Sequence, residues 1–137
     1  MRKLFGTIVG ILVAILILAA IEYIDGALYP LPTNIDPQDM VAVAQIIPNM
    51  PIAAKLILVS AWLLATFGGA WIALRVTDWR WSAVLVTLFV IGGAVINFIE
   101  LPHPLWMQGC AVLLPLIGGG LAARVHAKPY PGEPLLG

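Results

Sequence analysis

Two polar pairs stand at equivalent places in this chain, each near the end of a long apolar run. Glu22 and Asp25 form the first pair, and Asn97 and Glu100 form the second. A spacing of three residues places both members of a pair on one face of a helix. Because ionised carboxylates are costly in hydrocarbon, such groups usually face a bundle interior, a partner or water. With one nearby lysine and one histidine they make a candidate polar cluster of Glu22, Asp25, Lys55, Asn97, Glu100 and His103.

The polar cluster has two main interpretations. In the first it is structural, and Lys55 forms one salt bridge with Glu22, Asp25 or Glu100. In the second it lines a solvated cavity that opens to the outside and binds a cation, a proton or a small polar solute. We rank the structural interpretation first.

A metal site is a weaker third interpretation of the same residues. Glu100 and His103 match the Glu-x-x-His spacing of di-metal carboxylate bundles, but Pro102 interrupts the helix between them. The chain has no nucleophile elbow, P-loop or zinc-protease motif, and Cys110 is its single cysteine. We therefore expect no catalytic residues, no metal, no cofactor and no enzymatic activity.

The composition indicates which elements hold these residues. Hydrophobic residues make up 61% of the 137 residues and charged residues only 10%, whereas soluble domains carry about 25% charged residues. Four apolar segments, at about residues 4–28, 51–76, 82–101 and 105–124, are long enough to cross a hydrocarbon core of ~30 Å. The sequence predicts an all-α integral membrane protein, with one four-helix bundle over residues 1–126 and an irregular cytoplasmic tail over 127–137.

Basic residues predict the orientation of the bundle. With four spans, a single lysine, Lys55, flanks one side, and six basic residues flank the other: Arg2, Lys3, Arg75, Arg80, Arg124 and Lys128. The positive-inside rule then places both termini in the cytoplasm. The first apolar run, residues 4–21, is longer than the core of a secretory signal, so we expect it to be retained. Balanced charge gives no reason to expect a nucleic-acid partner.

The loop over residues 29–50 is the only sizeable one, and we expect it to be external. It contains a short amphipathic helix, predicted to begin with Asp36 as its N-cap and Pro37 at its first position. Pro48 should end this helix, which is too short to span and is expected to cap the bundle.

The sequence also suggests an internal repeat of two helical hairpins. Besides the polar pairs, Leu63-Leu64 precede Gly68-Gly69 at the same spacing as Leu113-Leu114 precede Gly118-Gly119. Two hairpins that both run in–out–in would be related by an axis along the membrane normal. Chance recurrence among the few residue types of membrane helices is the alternative.

Short proline-rich connections give the chain a family resemblance. With Tyr29-Pro30-Leu31-Pro32 and Pro102-His103-Pro104-Leu105-Trp106, the chain resembles small uncharacterised four-span bacterial inner-membrane proteins. This resemblance implies the architecture and an inner-membrane location, and it implies no activity.

Three classes of function are compatible with this architecture. The first is an accessory or structural subunit that packs against a larger membrane complex. The second is permeation of a small solute or ion through the outward polar cluster, in a homo-oligomer because four short helices rarely enclose a pore alone. The third, a membrane enzyme, ranks last.

Overall fold

The computed structural model describes residues 1–126, so the predicted tail over 127–137 lies outside the described residues. Within that range the chain is helical and contains no strand. Its helices are α1 (Arg2–Leu28), α2 (Met40–Ile46), α3 (Ile52–Thr77), α4 (Arg80–Glu100) and α5 (Leu105–His126), with one 3₁₀ turn at Ile47–Asn49. All but α2 are long and apolar enough to cross a membrane, which confirms the predicted all-helical fold with four candidate spans.

Helix α3 is the centre of the bundle. It packs against α1, α4 and α5, and its contact with α1 is the most extensive. The buried face of α3 is rich in small residues, including Ala61, Ala65, Gly69 and Ala73. Small side chains let helix backbones approach closely, and this is how helices associate where lipid provides no hydrophobic force between them.

One end of the bundle, here called the basic end, gathers the first turn of α1, the last turns of α3 and α5, and the start of α4. The Arg2 Nε donates a hydrogen bond to the Val76 carbonyl at 2.7 Å. The Lys3 ammonium lies 5.4 Å from the centre of the Trp79 ring. His126 Nε2 lies 3.4 Å from Asp78 Oδ1. These contacts hold the ends of α1 and α5 against the end of α3 and its connection to α4. The opposite end, which carries Glu22 and Glu100, is called the acidic end.

The half of the bundle next to the basic end is packed backbone to backbone. A Cβ added to Gly69 would lie 2.5 Å from the Gly10 carbonyl oxygen and 2.8 Å from the Ala14 Cβ. It would also lie 3.1 Å from a methyl group of Val86 on α4. Helices α1, α3 and α4 therefore meet at this level, and only glycine fits at the crossing.

The short helix between α1 and α3 begins later than the sequence suggested. Asp39, and not Asp36, is the N-cap of α2, and its carboxylate accepts hydrogen bonds from the amides of Val41 at 3.1 Å and Ala42 at 3.2 Å. The prediction for Asp36 was wrong because its carboxylate accepts a hydrogen bond from the Gln38 amide at 2.9 Å. This local turn competes with helix formation, as aspartate side chains often do.

Candidate functional site

A groove of about 440 Å³ lies between α1 and α4 in the half of the bundle next to the acidic end. The two helices meet near Gly10 and Val86 and diverge from there, with α3 forming the back wall. Helix α2 and the 3₁₀ turn contribute Val43 and Ile47 to the lining of the groove. The lining is mostly apolar and consists of Leu18, Glu22, Leu31, Val43, Ile47, Met50, Leu58, Trp62, Phe89, Val90, Gly93, Ala94, Asn97, Leu101 and His103.

Three members of the predicted polar cluster line this groove. Glu22 lies on the α1 wall, Asn97 on the α4 wall, and His103 in the connection between α4 and α5. Within residues 1–126, no hydrogen bond or ion pair involves the side chain of Glu22 or of Asn97. Both side chains are therefore available to a molecule that enters the groove.

His103 is fixed by its surroundings. Its ring is buried, and its Nδ1 lies 2.9 Å from the Leu101 carbonyl oxygen. The ring also packs edge-on against Phe98 at 5.0 Å, and Gln108 donates a hydrogen bond to the His103 carbonyl at 3.0 Å. These contacts make His103 a rigid part of the groove wall rather than a mobile side chain.

Asp25 and Lys55 line a small adjoining cleft of about 30 Å³, which His103 also borders. The expected salt bridge of Lys55 is not formed within residues 1–126, where its ammonium donates a hydrogen bond to the Pro48 carbonyl at 3.1 Å. Lys55 lies in the first turn of α3, directly after the 3₁₀ turn, and this carbonyl is within its reach. One buried oxygen of Asp25, Oδ1, has no hydrogen-bond partner among the described residues.

Glu100 is separate from the rest of the predicted cluster. It is the exposed last residue of α4 and lines neither the groove nor the cleft. His103 lies beyond the end of that helix, so the two residues of the Glu-x-x-His spacing do not share a helix face. Across residues 1–126, no three His, Cys, Asp or Glu side chains are grouped to hold a metal ion.

Two features of the groove were not predicted from the sequence. Trp62 forms part of the back wall, 5% exposed, and packs edge-on against Phe98 at 5.7 Å. Gly93 lines the α4 wall, and a Cβ added there would meet no atom within 4 Å. The same residue types occur elsewhere in these helices, as Trp71 in α3 and Gly92 in α4. The sequence therefore does not show that Trp62 and Gly93 line a groove, which depends on the separation of α1 and α4.

The arrangement suits reversible binding. Ligand sites are typically concave cavities of about 300–1,000 Å³, mostly apolar, with a few polar groups that orient the ligand. The groove has this character, with Glu22 and Asn97 toward its acidic end and Leu18, Trp62 and Phe89 in its walls. A molecule with an apolar body and a polar head is complementary to such a surface.

Comparisons of this chain with protein-family models, with curated protein sequences and with solved structures found no match. The groove and its lining residues are therefore the basis for the functional conclusion.

Proposed function

We propose that this protein is a non-enzymatic integral membrane protein that holds an amphipathic molecule in the groove between α1 and α4. The groove itself is the observation that supports the proposal. From Ala14, where α1 and α3 are in contact, to Glu22 is eight residues, or ~12 Å of helix. This length is close to the ~15 Å thickness of one leaflet's hydrocarbon region, half of a ~30 Å core.

Permeation through one copy of the chain has less support. A route across the bundle would have to pass the level at which Gly10, Gly69 and Val86 pack against one another. The close approach of the two glycine backbones leaves no space there for an ion or a solute. Permeation would require that α1 separates from α3 in this half of the bundle.

The binding proposal can be tested by blocking the groove at Gly93. Gly93→Trp places a large side chain in the groove, and the added Cβ itself meets no atom within 4 Å. Gly92→Trp is the matched control, because a Cβ at Gly92 is equally free of neighbours and Gly92 does not line the groove. Bound phospholipid is measured by native mass spectrometry of the purified protein, released from a mild detergent.

We expect the wild-type protein and Gly92→Trp to retain the same lipid occupancy, and Gly93→Trp to lose most of it. Retention of equal amounts of lipid by the two variants would refute the proposal, because the groove would then not be the site. Far-UV circular dichroism checks that both variants keep their helical content.

We further propose that both termini are cytoplasmic, in a bacterial inner membrane, and that α2 lies on the external side. Support for this orientation comes from the basic residues, since Arg2, Arg75, Arg80 and Arg124 flank the basic end and Lys55 lies at the acidic end. In this orientation the groove belongs to the outer leaflet.

A tandem repeat of two hairpins is also part of the proposal. Gly69 packs on Gly10 and Ala14 of α1, and the corresponding Gly119 packs on Thr87 of α4. If Glu22 corresponds to Asn97, Thr87 corresponds to position 12, between Gly10 and Ala14. The second glycine of each pair thus contacts a similar level of the preceding helix, which supports a duplicated hairpin.

The expectation of an accessory or structural subunit is compatible with lipid binding. A small bundle that holds lipid in one groove can contribute that lipid to the surface of a larger complex or of a homo-oligomer. The mass of the native particle after mild extraction distinguishes copies of this chain from other proteins.

A further inference from the structure

The acidic end of the bundle has an uneven charge. The elements at this end have one basic side chain, that of Lys55 on α3. Their acidic side chains are Glu22 and Asp25 on α1, Asp36 and Asp39 in the connection from α1 to α3, and Glu100 on α4. No salt bridge within residues 1–126 neutralises any of these carboxylates, and the Lys55 ammonium donates a hydrogen bond to the Pro48 carbonyl. The end of the bundle where the groove lies is therefore an acidic surface, which attracts cationic groups and repels anionic ones.

Glu22 brings this charge into the groove. It lies in the sixth turn of α1, at the α1 wall, and the side-chain amide of Asn97 lines the facing wall. An acidic side chain in a membrane helix is costly unless it finds a partner or water. The described chain provides Glu22 with neither a cation nor a hydrogen-bond donor, so a bound molecule with an ammonium group would be the complementary partner.

The position of the groove indicates that this molecule comes from the bilayer. Helices α1 and α4 both pack on α3, so the gap between them opens on the side away from α3. In the proposed integral membrane protein that side faces the lipid, and Phe89, which lines the groove, is 44% exposed. A lipid can place one acyl chain between Leu18 and Phe89 while its head group stays at the membrane surface.

We propose that the groove binds an aminophospholipid, with an acyl chain along its apolar walls and the head-group ammonium at Glu22 and Asn97. This inference rests on the proposed function and adds the class of ligand. The charge also gives selectivity, because the described lining of the groove has the carboxylate of Glu22 and no lysine or arginine, so an anionic head group such as that of phosphatidylglycerol meets a negative charge without a compensating cation. Lys55 lines the adjoining cleft and not the groove.

The test compares two lipids with identical acyl chains, phosphatidylethanolamine and phosphatidylglycerol. Each is titrated into the purified full-length protein, and the bound fraction is read by native mass spectrometry. We expect the wild-type protein to bind phosphatidylethanolamine about fivefold more tightly, the scale of one partly exposed ion pair. Glu22→Gln should reduce this preference to less than about twofold, since the neutral amide keeps the shape and removes the charge.

Glu100→Gln is the matched control for Glu22→Gln. It removes a carboxylate from the same end of the bundle, but Glu100 does not line the groove, so the preference should stay near the wild-type value. If Glu100→Gln lowered the preference as much as Glu22→Gln, a diffuse surface effect would replace the proposed contact.

Failure of this inference can be told apart from failure of the proposed function. If Gly93→Trp abolishes lipid binding but the wild-type protein binds both lipids equally, the groove is a lipid site without head-group selectivity, and the aminophospholipid inference is wrong. If Gly93→Trp binds both lipids as the wild type does, the groove is not the site, and both proposals are wrong. Tighter binding of phosphatidylglycerol would also overturn the inference.

Discussion

The crossing of α1 and α3 at Gly10 allows a strict test of the packing argument. In Gly10→Ala the added methyl group would lie 2.6 Å from the Gly69 carbonyl oxygen and 2.6 Å from the Ala73 Cβ. Neither atom belongs to a flexible side chain, so the two helices must separate to admit the methyl group. Overpacking of this kind typically costs about 1–3 kcal/mol.

Gly92→Ala is the control that isolates this cost. It makes the same chemical change in α4 at a place where an added Cβ meets no atom within 4 Å. Replacing a helical glycine by alanine favours the helix by roughly 0.5–1 kcal/mol in both variants, so this contribution cancels in the comparison. Gly10→Ala should then be less stable than Gly92→Ala by about 1–3 kcal/mol, a factor of about 5–150 in the unfolding equilibrium.

The free energy of unfolding is measured by titrating sodium dodecyl sulfate into mixed micelles while helical content is followed by circular dichroism. Gly92→Ala should unfold at or above the wild-type midpoint, and Gly10→Ala clearly below it. Equal midpoints for the two variants would contradict the structure, because they would mean that α1 and α3 are not in backbone contact at Gly10.

Two further predictions concern α2 and the orientation. Asp39→Ala should speed hydrogen exchange at the amides of Val41 and Ala42, since it removes an N-cap worth about 0.5–2 kcal/mol, whereas an unchanged exchange rate would contradict the assigned cap. In a Cys110→Ser background, a membrane-impermeant maleimide applied to intact cells should label Glu100→Cys and not Arg80→Cys, and the reverse pattern would overturn the proposed orientation.

Much of the fold follows from the sequence, because its evidence is local. Each span is a continuous apolar stretch, so the length of the stretch alone predicts the helix, whatever its neighbours are. Prediction was poorer wherever two local interactions compete. Asp36 and Asp39 are both good N-cap residues, and the sequence does not show that Asp36 would bond the Gln38 amide instead. Lys55 likewise has a backbone acceptor as well as acidic candidates, and it uses the backbone one.

The candidate site was only partly accessible to such reasoning. Spacing identified Glu22 and Asn97 as groups that face something other than lipid, and both line the groove. Spacing also grouped Glu100 with them, although Glu100 is the exposed last residue of α4 and does not line the groove. A helix face tells which residues point the same way, but not how far the facing helix is. That distance decides whether a polar side chain lines a cavity, and it depends on packing elsewhere in the bundle.

The size of the side chains along α1 explains why the bundle is closed at one end and open at the other. Gly6, Gly10 and Ala14 form a stripe of small residues at four-residue spacing, and α3 packs directly on it. The stripe stops at Ala14, and the next position on this face is Leu18. On α3, Gly69 packs on α1 at the level of the stripe, and Trp62 lines the groove. Leu18 and Trp62 are too large for the backbone-to-backbone contact seen at Gly10 and Gly69, and the groove lies between α1 and α4 at their level. The groove is therefore a consequence of where the small residues end, and Glu22, one turn beyond Leu18, lies within it for the same reason.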